Sequence, residues 1–291
     1  MKMDYQKIYQ QISKKAHTEI YHFMKMNQIS ANDYIFQTYF DFIVKKYKIK
    51  ILEHYTLDSL ILGITMIDEY GISISYDENS IPTRQNFTKC HEIGHLVLEH
   101  EGTTFTEINN SNKKDEIEAD LFSSFVLIPD IVLFHKIVNQ NKNFSTICQE
   151  LQISQEAFKY RLINFLQYQT KLPRNIAEKY TKDYRSKNNS SNLIAIFNDY
   201  KSTIINSYQS VKIDSYLQTI NLIQKNGFIT QLDCTQLNNK DMQEKLLKQN
   251  NIKIWSYYNK GKTLWYAWNT DKLSDIEAKQ KAKLIHTLKL L

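Results

Sequence analysis

Between Cys90 and His100 the chain reads Cys90-His91-Glu92-Ile93-Gly94-His95-Leu96-Val97-Leu98-Glu99-His100, and inside that run stands H-E-x-x-H. On an α-helix, residues four apart differ by about 40° around the axis, so His91 and His95 project from one face and can share a metal ion. Glu92 flanks the same face. Two imidazoles with an adjacent carboxylate are what a zinc hydrolase requires, the rings to hold one Zn2+ ion and the carboxylate, Glu92, to act as general base on water. Such a site needs a third protein ligand and an open fourth position, so another residue must be brought in from elsewhere.

Several candidates lie close by. The metzincin extension requires Gly at position 98 and His at 101, and the chain has Leu98 and Glu101. Cys90 has the wrong offset for joint chelation and reads as a small buried thiol. His100 is five residues past His95, about 140° around a helix, and reads as a helix-end or surface histidine. The next helical stretch, Asp115 to Pro129, places Glu118, Leu121, Phe122, Phe125 and Val126 at i, i+3, i+4, i+7 and i+8. That periodicity puts Glu118 on a buried face, where a carboxylate needs compensation that a metal would supply. Glu116, about 200° away, is expected to face solvent, and Ala119 lets the two helices approach. A structural ion pair to a lysine or arginine is the competing reading of Glu118.

Other elements must hold these helices. Ile8, Ile12, Ala16, Ile20 and Met24 step by four along an amphipathic first helix, and a second is expected from an N-cap at Ser30 through Ile43. Ile49, Ile51 and Leu62 to Ile67 are β-rich. Gly71 to Tyr76 alternates with period two behind a turn at Asp68-Glu69-Tyr70-Gly71, predicting a hairpin in a small sheet that would supply an edge to an extended peptide. Pro82 suits the first turn of the H-E-x-x-H helix, and Gly94 would remove side-chain bulk beside the metal.

Arg84-Gln85-Asn86-Phe87-Thr88-x-x-His91-Glu92-x-Gly94-His95, followed by Glu116-x-Glu118-Ala119-x-x-Phe122-x-x-x-x-Leu127-x-Pro129, resembles the ImmA/IrrE family of bacterial metallopeptidases over roughly residues 30 to 170. The resemblance implies a gluzincin-like zinc peptidase core with zinc on His91, His95 and Glu118 and Glu92 as general base. It also implies an endopeptidase that cuts a helix-turn-helix repressor and so switches on mobile-element or stress-response genes. An anti-repressor acting by binding alone, or a DNA-binding regulator, remains the alternative.

Ser145 to Phe165 reads as a helix-turn-helix, with Ser145 and Ser154 as N-caps and Ile147, Leu151, Ile153, Phe158, Leu162 and Phe165 as its apolar set. Lys159, Tyr160 and Arg161 are expected to point outward, and DNA contact, docking of a repressor and a purely structural pair all fit the same letters. Lys187 to Asn192 reads as a linker. Beyond a helical stretch from Leu193 to about Lys225, the letters suggest a strand from Phe228 to Cys234 and a helix from Lys240 to Lys248. A hairpin of Ile252 to Tyr258 and Thr263 to Asn269 and a helix from Asp271 to Leu290 would follow. Trp255, Tyr257, Tyr258, Trp265, Tyr266 and Trp268 crowd the hairpin, as a sheet face or as a binding surface.

The expected fold is therefore α+β and mostly helical: a peptidase domain at 1–130, a helix-turn-helix-like region at 131–186 and a C-terminal α/β domain at 193–291. With 291 residues, 42% of them hydrophobic, the chain can build real cores, and three cysteines without a C-x-x-C pair argue against a disulfide framework and for a reducing compartment. There is no apolar run near 18 residues and no leader-like N-terminus, so the expectation is a cytoplasmic protein without membrane contact. Charge is uneven: 13 Lys and Arg stand against 19 Asp and Glu up to Asp130, and 24 against 12 thereafter. The basic half could favour DNA or an acidic protein partner, although no basic block exists.

Overall fold

The computed structural model describes residues 4–55, 61–108 and 114–289. The chain divides into two compact units, one running to Phe23 and from Ile29 to Val211, the other comprising Met24–Gln28 and the chain from Lys212 onward. The fold is α+β and mostly helical.

In the first unit, α1 (Tyr5–Met26) buries Ile8, Ile12, Ala16 and Ile20, the stripe at steps of four. Helix α2 (Phe36–Tyr47) buries Phe36, Tyr39, Phe40 and Ile43. Ser30 does not cap α2; its hydroxyl accepts from the Asn32 and Asp33 backbone N–H groups in a separate turn, and α2 starts after Ile35. Four strands follow in a mixed sheet of order β1-β3-β2-β4: β1 (Lys50–His54), β2 (Ile61–Asp68), β3 (Gly71–Asp77) and β4 (Thr104–Ile108). β1 runs parallel to β3, and the other neighbours are antiparallel. The β2–β3 turn closes with Asp68 opposite Gly71, whose φ of +118° favours glycine, and the Tyr70 N–H donates to Asp68 Oδ1. β4 carries little alternation that would have announced it.

Across this sheet lies α3 (Pro82–Val97), with Pro82 in its first turn as its missing N–H permits. It packs on α4 (Lys114–Leu127) at a close crossing: a Cβ on Gly94 would stand 3.4 Å from Ala119 Cα and 3.3 Å from Phe122 Cδ1. Gly94 thus serves helix–helix approach. The chain continues through α5 (Asp130–Phe134) with a π-turn at His135–Asn139, α6 (Phe144–Glu150), and α7 (Gln155–Asn164) with a π-turn at Phe165–Gln169. Helices α8 (Arg174–Lys187), α9 (Ser191–Asp199) and α10 (Lys201–Ser210) complete the unit.

The α6–α7 pair has the expected apolar set buried, but Asn143 rather than Ser145 caps α6, accepting from the Thr146 N–H at 2.8 Å, because the helix begins two residues earlier. Ser154 caps α7 as expected. Arg161 is not outward. It is 1% exposed, paired with Asp130 and donating through Nε to the Ile128 carbonyl, because a buried carboxylate on α5 draws it in. Residues 187–192 join α8 to α9 within this unit.

The second unit contains α11 (Ser215–Asn226), β5 (Phe228–Thr230), α12 (Lys240–Leu246), β6 (Ile252–Asn259), β7 (Lys262–Asn269) and α13 (Asp275–Lys289). Its antiparallel sheet has the order β5-β7-β6. The β6–β7 turn puts Lys260 and Gly261 at φ +48° and +77°, the two left-handed residues of a tight hairpin. One face packs Ile229, Ile252 and Ala267 with Leu222 and Ile223; the other packs Leu264, Tyr266 and Trp268 with Ala278 and Ala282. Of the hairpin aromatics, Tyr266 and Trp268 are core, Tyr257 and Trp265 pack half-buried against it, and Trp255 and Tyr258 are exposed. α13 begins four residues later than expected, and Leu290 lies outside the described residues. Among the described residues no single helix is long and apolar enough to cross a membrane.

Candidate metal centre

Helix α3 carries His91, Glu92 and His95 into the interior, each no more than 1% exposed. The two rings point their Nε2 atoms at one spot, 3.1 Å apart. Glu116 on α4 completes the group: its carboxylate oxygens lie 3.3 Å from His91 Nε2 and 3.7 Å from His95 Nε2. Tetrahedral zinc with bonds of about 2.0–2.1 Å separates its ligand atoms by about 3.3 Å. The three side chains therefore fit one such ion.

Glu118 is placed elsewhere. It faces His100, with Oε2 3.2 Å from His100 Nε2 and Oε1 3.2 Å from Lys114 Nζ. The physical reason is that α4 has two inward faces. Leu121, Phe122, Phe125 and Val126 are buried in the apolar core, and that stripe sets the phase on which Glu118 was expected to be a ligand. The face toward α3 is instead Glu116, Ala119, Asp120 and Ser123, at i, i+3, i+4 and i+7: Ala119 meets Gly94, Asp120 meets His91, and Ser123 Oγ donates to the Phe87 carbonyl. Burial does not separate the two glutamates, whose side chains are 12% and 13% exposed. The signal in the sequence was the small pair Gly94 and Ala119, since Glu116 lies one turn before Ala119.

Each histidine is held through its other nitrogen. Asp120 Oδ1 lies 2.9 Å from His91 Nδ1, and His100 Nδ1 lies 2.8 Å from His95 Nδ1, with Glu118 behind it. Carboxylate–histidine contacts of this kind fix ring orientation and tautomer at metal sites. The His95 ring also stacks on Phe105 of β4, centroids 4.6 Å apart. His100 and Glu118 thus form a chain behind His95, roles the sequence reading gave to neither.

Glu92 lies on the sheet side. Thr65 of β2 donates to its Oε2 at 2.5 Å, while Oε1 is buried with no hydrogen-bond partner among the described residues. Gly63, two residues back on β2, makes room: a Cβ there would stand 3.0 Å from Glu92 Cδ and closer still to Oε1. Glu107 on β4 accepts from Arg84 Nη2 at 2.5 Å, and a carboxylate oxygen of Glu107 lies near His91 and Asp120.

The electrostatics describe a centre short of positive charge. Burial pushes the Glu92 carboxyl up to about 8, with the His91 charge and the Thr65 hydrogen bond opposing. Burial draws His91 down, but hydrogen bonds to Asp120 and Glu116 and the charge of Glu107 outweigh it and raise His91 to about 10. Burial and the neighbouring His91 take His95 down to about 3. Burial also opposes ionisation of Glu116, yet His91 holds its carboxyl below the ordinary range. A proton on His91 thus balances carboxylates that a divalent cation would balance instead.

Two imidazoles from one helix, a carboxylate from the next and a buried glutamate beside a sheet are the arrangement that a metallopeptidase of the H-E-x-x-H class requires. Residues 45–163 match the family model described as Peptidase M78, the IrrE N-terminal-like domain. That segment is similar to this peptidase family, which implies a metal ion. No curated protein matches the chain.

Proposed function

We propose that the protein is a zinc-dependent endopeptidase with a narrow protein substrate, a helix-turn-helix transcriptional repressor. His91, His95 and Glu116 would hold one zinc ion, and Glu92 would be the general base. The convergence of His91 Nε2, His95 Nε2 and the Glu116 carboxylate on one spot carries this reading. When bound, the ion supplies Lewis acidity for activating water and polarising the scissile carbonyl.

The chain's own residues supply the remainder. Oε2 of Glu92 is tethered by Thr65, which leaves Oε1 to take a proton from the attacking water and return it to the leaving nitrogen. Asp120 and the His100–Glu118 pair hold the histidine rings in register. β4 ends the sheet order, so its outer edge can receive an extended peptide as an added strand beside His95 and Glu107. Arg161 is withdrawn onto Asp130, which removes one of the three residues on which DNA contact by α7 would have depended.

The test uses zinc-loaded full-length protein and helix-turn-helix repressors from the same genome. Cleavage at one bond is expected, and Glu92→Gln lowers it by about a hundredfold to ten-thousandfold with zinc content unchanged. Undiminished cleavage by that variant would refute the mechanism, and relief of repression by it without any cleavage would establish an anti-repressor that acts by binding.

A further inference from the structure

The net charge of the chain belongs to one part of it. Residues 1–211 carry 24 Lys and Arg against 24 Asp and Glu, so the whole +6 comes from residues 212–291, with 13 lysines, no arginine and seven acids. In that second unit β6 ends the sheet order, and Trp255 on it is 65% exposed, although Tyr266, its partner across the ladder on β7, is buried. The position of α13 decides what stands beside the bare indole. Asp275, at the start of α13, lies 2.8 Å from Lys253 Nζ, and His286, near its end, meets Tyr257 edge-on with ring centroids 5.2 Å apart. The helix therefore runs alongside β6 in the same direction, and Trp255, midway between Lys253 and Tyr257 on the same face of the sheet, lies level with the middle of the helix. Ala278 and Ala282 turn into the core. Lys279 and Lys283, four and eight residues past Asp275, fall on the flank that Asp275 turns toward β6, and both are exposed, as is Lys260 in the β6–β7 turn. Among the described residues no acid pairs with these three lysines: Asp275 is taken by Lys253, and Glu277 lies about 160° around the helix from Asp275.

We propose that this face of the second unit binds single-stranded nucleic acid, with one base stacked on Trp255 and the neighbouring phosphates on Lys279, Lys283 and Lys260. The proposal stands apart from the peptidase reading. An exposed indole plane is a platform on which any base can stack, and unpaired lysines beside it supply the positive charge that tracks a polynucleotide backbone. The bases of a duplex are already stacked on one another, so a stacking side chain of this kind selects a single strand. Tyr258 is 68% exposed as well, but side chains alternate along a strand, which puts it on the opposite face of β6 from Trp255. It belongs outside the site and serves as an internal control.

Binding is measured by fluorescence anisotropy on the full-length protein with a labelled oligothymidylate, an oligouridylate and a DNA duplex of the same length. The single strands should bind tighter than the duplex, and their affinity should fall by about tenfold to twentyfold between about 50 and 200 mM salt, as three lysine–phosphate contacts require. Trp255→Ala should weaken binding by about fivefold to a hundredfold at an unchanged salt slope. Lys279→Gln combined with Lys283→Gln should instead flatten the slope, by about 0.7 for each lysine. All these positions are exposed, so the variants should melt as wild type does. A preference for the oligothymidylate assigns the site to DNA and one for the oligouridylate to RNA, and either upholds the proposal. It is overturned if neither single strand binds at the lower salt, the outcome expected of a surface for an acidic protein. Equal affinity for the duplex, no effect of Trp255→Ala, or a loss on Tyr258→Ala as large as that on Trp255→Ala would overturn it too.

Discussion

Gly63 offers the sharpest test of Glu92's place on the sheet. Replacing it with alanine would put a Cβ 2.6 Å from Thr88 Cγ2 and 3.0 Å from Glu92 Cδ, with Glu92 Oε1 nearer still. Carbon atoms in contact are ordinarily about 3.5–4.0 Å apart, so the obstructing side chains must retreat by about 1 Å. Neither has room: Thr88 and Glu92 are at most 1% exposed, and Glu92 is also tied to Thr65 on the same strand as the new methyl. Overpacking of this kind costs about 1–3 kcal/mol, which lowers the melting temperature by several degrees. The larger effect is on catalysis, because displacing a catalytic group by about 1 Å costs about a hundredfold in rate. None of His91, His95 and Glu116 is among the atoms crowding the new methyl, so zinc content should match wild type. The assay is a set of three measurements on one preparation: melting temperature, bound zinc and the rate of repressor cleavage. Glu92→Gln combined with Gly63→Ala should be no slower than Glu92→Gln alone, since both act on one carboxylate. Wild-type cleavage and wild-type melting in Gly63→Ala would refute the placement. Loss of zinc in step with activity would show that the effect runs through the metal and not through Glu92.

The two glutamates of α4 separate by metal titration. Glu116→Gln should weaken zinc binding well beyond the about tenfold to hundredfold expected when an outer hydrogen-bond partner such as Glu118 is changed, and the reverse order would return the third position to Glu118. Arg161→Met leaves Asp130 buried with only His17, 3.5 Å away, and should cost about 3–5 kcal/mol in chemical denaturation; a loss under about 1 kcal/mol would show the pair to be dispensable. Burial opposes ionisation of Asp130, but His17 and Arg161 outweigh it and hold the carboxyl well below the ordinary aspartate range. Its stabilisation is therefore fully present above the unfolded value, about pH 4, and is lost as the pH falls below it toward the folded value. Asp130→Asn should flatten that acid limb of the stability curve, and an unchanged limb would assign acid sensitivity to other groups.

What the sequence made legible follows from how locally each feature is encoded. His91, Glu92 and His95 lie on one helix, and helical geometry alone brings the two rings together; the same holds for the Asp68–Gly71 turn and the Ser154 cap. The place of Glu116 beside the two histidines was not legible, because it depends on which side of α4 faces α3. A helix with a single apolar stripe would have answered that, but α4 is buried along the Leu121-Phe122-Phe125-Val126 stripe and again along the Ala119 side that meets Gly94. On such a helix hydrophobic phase reports where the core lies, whereas the direction of a neighbouring helix is written in small residues, here Gly94 and Ala119. Arg161 failed for the complementary reason: its charge suggested solvent, and only Asp130, 31 residues away, gives that charge a buried partner. Both differences between expectation and structure have the same source, a polar side chain whose environment is set by another element. That makes residues of this kind, Glu116, Asp120, Glu107 and Arg161, the ones through which the α4–α7 region and the sheet can tune the H-E-x-x-H helix. Substitutions there should move metal affinity and substrate choice while leaving the local helices as they are.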